Sequence, residues 1–489
     1  MVHQRLCSPC RITALKYMVP RPIPSSRSIH LPASRPRRTL TSATWDTPHP
    51  VTPNEYPMRH RDMERVPLTA LLRSIVMQAA MSHPYIVDAA SALAQRNIQM
   101  LTGNMLLRFF LDKFFYAQFC AGSTETEIKK TVEDLKALGF KGMIISYARE
   151  VDLLNVAEDA SEARHEHQGR VAQWLDGTLK GVRYSNPDDF VALKFTGAGP
   201  ECVRLLEAGM APDATMAEAV TQICESAKSR GVRLLIDAEH HSQQAGIDSW
   251  TMDLMEKYNQ DGRLVVYNTY QMSVASLHCS NSNAWFRIAD LEAVRGAYLK
   301  SDPRHLIHDT REDTDRAYND AAHMLATQHL SGPSAPKVGL VLATHNAQSV
   351  EMMRKLRQEQ LKEQLPLAEV VYSQLMGMAD ELSLNLIQKR ENVMEEDIQV
   401  FKYAVGGTIE ECMMYLLRRA DENRDAVERG QLTQQALWRE LRQRLFPLIS
   451  FVRTLRDGNL VMPVNCQSSR VLAVYQKHVK VTQIRHPCE

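Results

Sequence analysis

The sequence has little net charge, few aromatic residues and no long apolar run. Fifty-eight Lys and Arg against 57 Asp and Glu leave a formal +1, too even a balance for a general nucleic-acid binder. No stretch of eighteen apolar residues occurs, since even LLRFFLDKFF at 106–115 carries Arg108, Asp112 and Lys113. A membrane-spanning helix is thereby excluded, and peripheral contact is not. Nine cysteines are scattered over 489 residues, an odd number that makes no disulfide framework and points to a reducing compartment. Cys7 and Cys10 have no second pair at zinc-ribbon spacing. The chain also lacks a GxxxxGK loop followed by Ser or Thr and an HExxH helix, so P-loop and zincin chemistry lose their usual supports. Gly197-Ala-Gly199 begins a dinucleotide-type loop, but Cys202 stands where the third glycine belongs.

What is present is ordinary globular composition, 44% apolar and 24% charged, in a chain long enough to bury a sizeable core. The even charge hides an asymmetry. Residues 1–45 hold Arg5, Arg11, Lys16, Arg21, Arg27, Arg35, Arg37 and Arg38, with no acid before Asp46. Rich also in Ser, Thr and Pro, this segment has the composition of a mitochondrial transit peptide. Without its eight basic residues the remainder carries 50 basic against 57 acidic side chains. Residues 46–124 read as a Pro-rich linker followed by a helical arm, whose apolar positions recur every three and four residues from 67 to 120.

From about residue 125 the texture changes to short apolar runs separated by longer amphipathic stretches, the pattern of a parallel sheet with crossover helices. Eight runs are predicted as strands: 141–148, 190–197, 232–240, 264–271, 293–299, 338–346, 369–377 and 400–407. Eight βα units make an α/β protein of the TIM-type (βα)8 barrel class over 125–430, with a helical segment and an irregular tail over 431–489. Each run starts apolar and ends in polar residues or glycine, and in such a barrel those ends converge on the face that carries active sites. A doubly wound open sheet is the alternative, with fewer strands and a glycine fingerprint after the first.

Two constellations carry chemistry. Asp237, Glu239 and His241 alternate at the end of the third strand and, with His345, form a candidate divalent-metal set for a barrel hydrolase or lyase. The second is KYAVGGTIEECMMYLLRRADEN at 402–423, in which Arg418 and Arg419 lie within one helical turn of Glu422. As a surface ion-pair cluster this would contribute about 0.5 kcal/mol or less. Directly after the closing strand, however, two guanidinium forks reach over the barrel mouth and match a substrate carboxylate.

With FYAQFCAG, LLIDAEHHSQQ, VVYNTYQ, VRGAYL and ATHNAQSV, that helix makes the stretch from about 105 to 430 resemble the mitochondrial, fungal-like proline dehydrogenase family. The resemblance implies a distorted (βα)8 barrel with its final helix over the mouth. It implies oxidation of L-proline to Δ1-pyrroline-5-carboxylate by hydride transfer to FAD, with electrons passed to a quinone from the matrix side of the inner mitochondrial membrane. Carried over by position, Arg418, Arg419 and Lys194 would bind the proline carboxylate and Tyr403 would pack against its ring. Asp237 and Glu422 would hold that clamp in place. Asn268, Arg295, Gly296, Thr344, His345 and Asn346 would contact FAD, which the family binds without a glycine fingerprint.

The sequence departs from that pattern over 273–292. Three residues before Arg295 the family has Lys or Arg near the flavin, and here the residue is Glu292. An ionised carboxylate there would repel the electron-rich edge of a reduced flavin. The second reading is therefore a family member with impaired or lost catalysis.

Overall fold

In this computed structural model the described residues are 63–81, 85, 88, 103–147, 160–260, 262–274, 290–294, 302–328, 338–388, 397–425 and 434–445. All belong to the unit Val51–Glu489. The predicted transit segment, most of the linker, residues 275–289 and the tail beyond 445 lie outside them.

Nine parallel strands follow one another in a single sheet: β1 Cys120–Gly122, β2 Gly142–Tyr147, β3 Phe190–Leu193, β4 Arg233–Ile236, β5 Val266–Gln271, β6 Asp290–Val294, β7 Gly339–Ala343, β8 Glu369–Leu375 and β9 Gln399–Gly406. Strands β2 to β9 pair in sequence order and β9 pairs with β2 as well as β8, which closes an eight-stranded barrel. The expected (βα)8 architecture is observed. The helices are α1 Leu68–Met81, α2 Met105–Phe110, α3 Glu125–Leu138, α4 Ala160–Tyr184, α5 Pro200–Glu207, α6 Ala214–Arg230, α7 His241–Tyr258, α8 Arg311–Gln328, α9 Ala347–Lys362, α10 Asp380–Ile387 and α11 Ile409–Asp425.

Local chemistry explains the helix ends. Thr124 and Glu127 form a reciprocal capping box at the start of α3, and Gly139 in the left-handed region closes its end. Asp213 caps α6 through the Met216 amide at 2.8 Å. Thr408 and Glu411 repeat the box at the start of α11, with Thr408 N donating to Glu411 at 2.7 Å. Before it, Gly407 at φ +150° makes the turn out of β9, a conformation that side-chain-bearing residues rarely adopt.

The barrel interior is filled, not hollow. Ile144, Phe190, Ala192, Leu235, Tyr267, Val341, Val371 and Phe401 form its inner cluster. Phe190 meets Tyr267 and Phe401 edge-on at 5.4 Å. Below them Arg233 lies 3.7 Å over the Phe190 ring and pairs with Glu369 at 2.8 Å, plugging the N-terminal end. A larger apolar cluster fills the space between the sheet and the outer helices.

Two features differ from the sequence reading. Strand β6 is Asp290–Val294, earlier than the expected 293–299. Its register, Asn268↔Leu291 through Gln271↔Val294, places Glu292 on the inward parity, and a hydropathy reading passes over a carboxylate as a strand interior. Strand β1 was not expected at all. Three residues long, it pairs at the end of β9 through Cys120↔Val405, a contact decided by the docking of the arm rather than by local pattern.

Candidate active site

The inward parity of the strands, read upward, brings polar side chains together at the C-terminal mouth. Tyr403 donates its hydroxyl to Asp237 Oδ2 at 2.8 Å. Lys194, just beyond β3, acts electrostatically on both Asp237 and Glu239, and Arg418 of α11 acts on Asp237. Burial pushes the Asp237 carboxyl above its usual range, against the pull of Lys194, of the Tyr403 hydrogen bond and of Arg418. Burial, and then the Asp237 charge, hold the Tyr403 phenol well above its ordinary value, so it stays a donor. Lys194, Asp237, Tyr403 and Arg418 therefore meet at one place.

Helix α11 is anchored across this end by tyrosines from two other segments. Tyr147 at the end of β2 donates to Glu411 at 3.0 Å, and Tyr116 donates to the Gly407 carbonyl at 2.5 Å. Its apolar side packs through Cys412, Tyr415, Leu416 and Ala420 against Met77, Met81 and Phe119 of the arm. Arg419 is buried, its guanidinium 4.9 Å from the centre of the Tyr415 ring. Glu422 lies in α11, with its side chain outside the described residues.

The residues expected around a cofactor behave unequally. Asn268 is not at the mouth. Its strand parity pairs it with Leu291 on the outer face, where its amide donates to Asp248 of α7 at 3.0 Å. Thr344, His345 and Asn346 do follow β7 at the mouth end. Thr344 Oγ1 accepts from Asn346 N at 3.0 Å, and His345 Nε2 accepts from Leu375 N at 3.1 Å. Asn346 caps α9 through the Gln348 and Ser349 amides. Arg295 and Gly296 lie outside the described residues.

Glu292 is 3% exposed and accepts from Thr269 Oγ1 at 2.9 Å. Burial, with Asp237 adding to it, pushes its carboxyl up to about 8. The repulsion expected of an ionised carboxylate is therefore largely relieved at neutral pH, because the group is mostly protonated there.

The metal reading finds no support in this arrangement. Glu239 is held by the Thr196 amide and hydroxyl, and His241 is exposed at the start of α7. His345 Nε2 already accepts a hydrogen bond. Among the described residues no three His, Cys, Asp or Glu side chains converge as a metal site would need. A surface cavity lined by Lys136, Lys141, Asp188, Asp189 and Asp397 opens at the opposite end of the barrel, away from this chemistry.

Sequence reasoning missed two residues. Tyr415, one helical turn before Arg419, was within reach of i, i+4 spacing. Gln271, on the same inward parity as Thr269 and Glu292, donates to the Glu239 carbonyl at 3.0 Å. Its Oε1 is buried with no hydrogen-bond partner among the described residues. No local signal marks such an atom, since burial there needs the closed barrel.

Known proteins resemble this chain over most of its length. A relative from Schizosaccharomyces pombe named as a probable mitochondrial proline dehydrogenase is 27% identical over 451 residues, 79% of this chain and 90% of that protein. Mitochondrial proline dehydrogenase 1 of Dictyostelium discoideum is 28% identical over 404 residues, 70% of this chain and 66% of that protein. A crystal structure of proline utilization A from Bdellovibrio bacteriovorus inactivated by N-propargylglycine superposes with a TM-score of 0.49 at 14% identity, over 76% of this chain and 38% of that one. The family model for proline dehydrogenase matches residues 128–431, more than half of the chain and nearly all of the barrel. The chain belongs to the proline dehydrogenase family, oxidoreductases that act on proline.

Proposed function

We propose that this chain oxidises L-proline to Δ1-pyrroline-5-carboxylate in mitochondrial proline catabolism, with FAD as the resident cofactor and a membrane quinone as the onward acceptor. One observation carries the reading: a buried Asp237, bonded by Tyr403 and within electrostatic reach of the cations Lys194 and Arg418 at the barrel mouth. Guanidinium and ammonium donors so placed grip a small carboxylate with bonds of about 1.5–3 kcal/mol each. Lys194, Arg418 and the neighbouring Arg419 would take the proline carboxylate, with Glu422 on the same helix supporting them. The Tyr403 ring would pack against the pyrrolidine. Catalysis by these residues is positioning: a zwitterion pinned at one end presents the same ring carbon at every encounter.

The donor set of the mouth fits a flavin. Gln271 Oε1, at the end of β5, is a buried acceptor that needs an N–H donor, and Thr344, His345 and Asn346 follow β7 at the same end of the barrel; Arg295 and Gly296, next after β6 in the sequence, would join them. When bound, FAD supplies the two-electron acceptor that no side chain provides. Helix α11 over the mouth keeps water from the reacting carbon.

Contact with the inner membrane is assigned to α2. Met105, Leu106, Phe109 and Phe110 are all exposed, Met105 at 89%, with Arg108 and Lys113 beside them. Arg108, the charged residue of α2, lies 3.9 Å from Asp112 and 3.7 Å from Glu410, so the exposed apolar side chains would carry the contact with a lipid interface. Among the described residues no helix is long and apolar enough to cross a membrane. The Arg-rich, acid-free composition of residues 1–45 supports delivery to mitochondria, the compartment named for the S. pombe relative.

Purified protein is expected to be yellow and to lose its flavin absorbance on addition of L-proline but not of D-proline. A colourless protein, or a flavin spectrum indifferent to L-proline, would overturn the reading. Tyr403→Phe, which removes the 2.8 Å hydrogen bond to Asp237, is expected to raise KM for proline about tenfold, the equivalent of one charge-assisted bond. Flavin content should be unchanged, and steady-state kinetics beside the absorbance ratio check both.

A further inference from the structure

Glu239 is a buried carboxyl at the mouth to which the proposed reaction gives no part. It stands two residues beyond Asp237, after the end of β4, and is 4% exposed. Each of its polar atoms is bonded. The Thr196 amide donates to Oε1 at 3.2 Å and the Thr196 hydroxyl to Oε2, while the Glu239 amide donates to Gln244 Oε1 at 3.1 Å and its carbonyl accepts from Gln271 Nε2 at 3.0 Å. The backbone of Glu239 thus joins the loop after β4 to the end of β5, and its side chain reaches the other way, to the turn after β3.

That turn carries Lys194. It is a single 3-10 turn, Phe195–Ala198, with Lys194 at its N-cap and Thr196 two residues on. Other contacts hold it as far as Phe195: the Leu193 carbonyl accepts from Asp237 N at 2.9 Å, the Lys194 carbonyl accepts from Trp174 Nε1 at 2.9 Å, and the Phe195 ring meets Trp250 edge-on at 5.4 Å. Glu239 takes the next residue. An ionisable group is costly to bury unless donors or a cation offset it. Here Thr196 supplies two donors, and the Lys194 ammonium lies within electrostatic reach. The neighbouring Asp237 does the corresponding work on the other side of the mouth, where it takes the Tyr403 hydroxyl at 2.8 Å.

We propose that Glu239 is the positioning residue for Lys194: by clamping Thr196 it fixes the turn from which the Lys194 ammonium reaches the substrate carboxylate. The inference rests on the reading of the mouth as the proline site and adds the side chain that holds one of its cations in place. Glu239 acts only through Lys194. Its loss therefore weakens the grip on the carboxylate, which raises KM, and leaves the turnover of bound substrate as it was.

The test measures binding of tetrahydrofuran-2-carboxylate, a ring carboxylate without an amine, by calorimetry to the purified full-length holoprotein and to its Lys194→Met, Glu239→Gln, Thr196→Val and Thr196→Ser variants. Kd is expected to rise about tenfold in K194M, E239Q and T196V, the equivalent of one charge-assisted bond. T196S keeps the hydroxyl and should stay within about threefold of wild type. In steady-state kinetics E239Q should raise KM for L-proline and leave kcat within about twofold. On the K194M background E239Q should add less than about threefold, because nothing is left for Glu239 to position. Should E239Q not fold, T196V, which leaves the carboxyl in place, takes its part in the cycle. Wild-type affinity in both E239Q and T196V, or an undiminished loss on the K194M background, overturns the positioning role. Wild-type affinity in K194M, or no binding by the wild type, overturns the proline-site reading and this inference with it.

Discussion

Replacing Arg418 and Arg419 together by Met is expected to lower kcat/KM for L-proline by about 10²- to 10⁴-fold. The range is the loss of two charge-assisted bonds of about 1.5–3 kcal/mol each, converted at about 1.4 kcal/mol per tenfold. The fold should survive. The helix that carries the pair is held by Ile409, Cys412, Met413, Leu416 and Leu417 on its other faces, and Met can keep a sulfur contact with the Tyr415 ring where the Arg419 guanidinium lay. Steady-state kinetics with an artificial electron acceptor, beside a thermal melt, separate lost binding from lost structure. Unchanged turnover in a folded double variant would remove the carboxylate clamp from the mechanism.

Asp380→Ala is expected to destabilise the protein more than Lys402→Met, although the two substitutions break the same ion pair. Lys402 Nζ meets Asp380 at 2.7 Å and the Met378 carbonyl at 2.9 Å, and its side chain is 2% exposed against 34% for Asp380. Removing the carboxylate strands an ammonium that water does not reach, which costs about 3–5 kcal/mol. Removing the ammonium leaves a carboxylate that solvent still touches, and about 1–2 kcal/mol is expected. Urea unfolding of both variants reads the difference. The pair ties the start of α10 to β9, so the weaker variant should also melt first around that helix. Equal midpoints would mean that water reaches Lys402.

Much of the barrel was legible because a parallel strand buried on both faces must be apolar throughout. Runs such as FVAL at 190–193 and GLVLA at 339–343 are of strand length and apolar throughout, as such a strand requires. The cap of α3 was equally local, for Thr124 and Glu127 satisfy each other's backbone without help from the rest of the molecule. The twin arginines were legible through their position after the last strand. Strand parity was not. Asn268 and Thr269 are neighbours in the sequence, yet one faces α7 and the other the mouth. A one-residue error in register exchanges the two faces, and only the pairing of Asn268 with Leu291 settles which is which.

The sequence by itself determined the fold class, the placement of polar residues at strand ends and the basic pair on the last barrel helix, because those depend on periodicity and spacing that short-range sterics enforce. Only the tertiary structure decided that Asp237, Lys194, Tyr403 and Arg418 meet, that β1 adds to β9, and that Glu292 lies buried beside Asp237 with its proton retained. Those are properties of closure. Asp237 and Tyr403, 166 positions apart, become neighbours only when β9 pairs with β2, and the loss of water that shifts a carboxyl's ionisation exists only once that ring is shut.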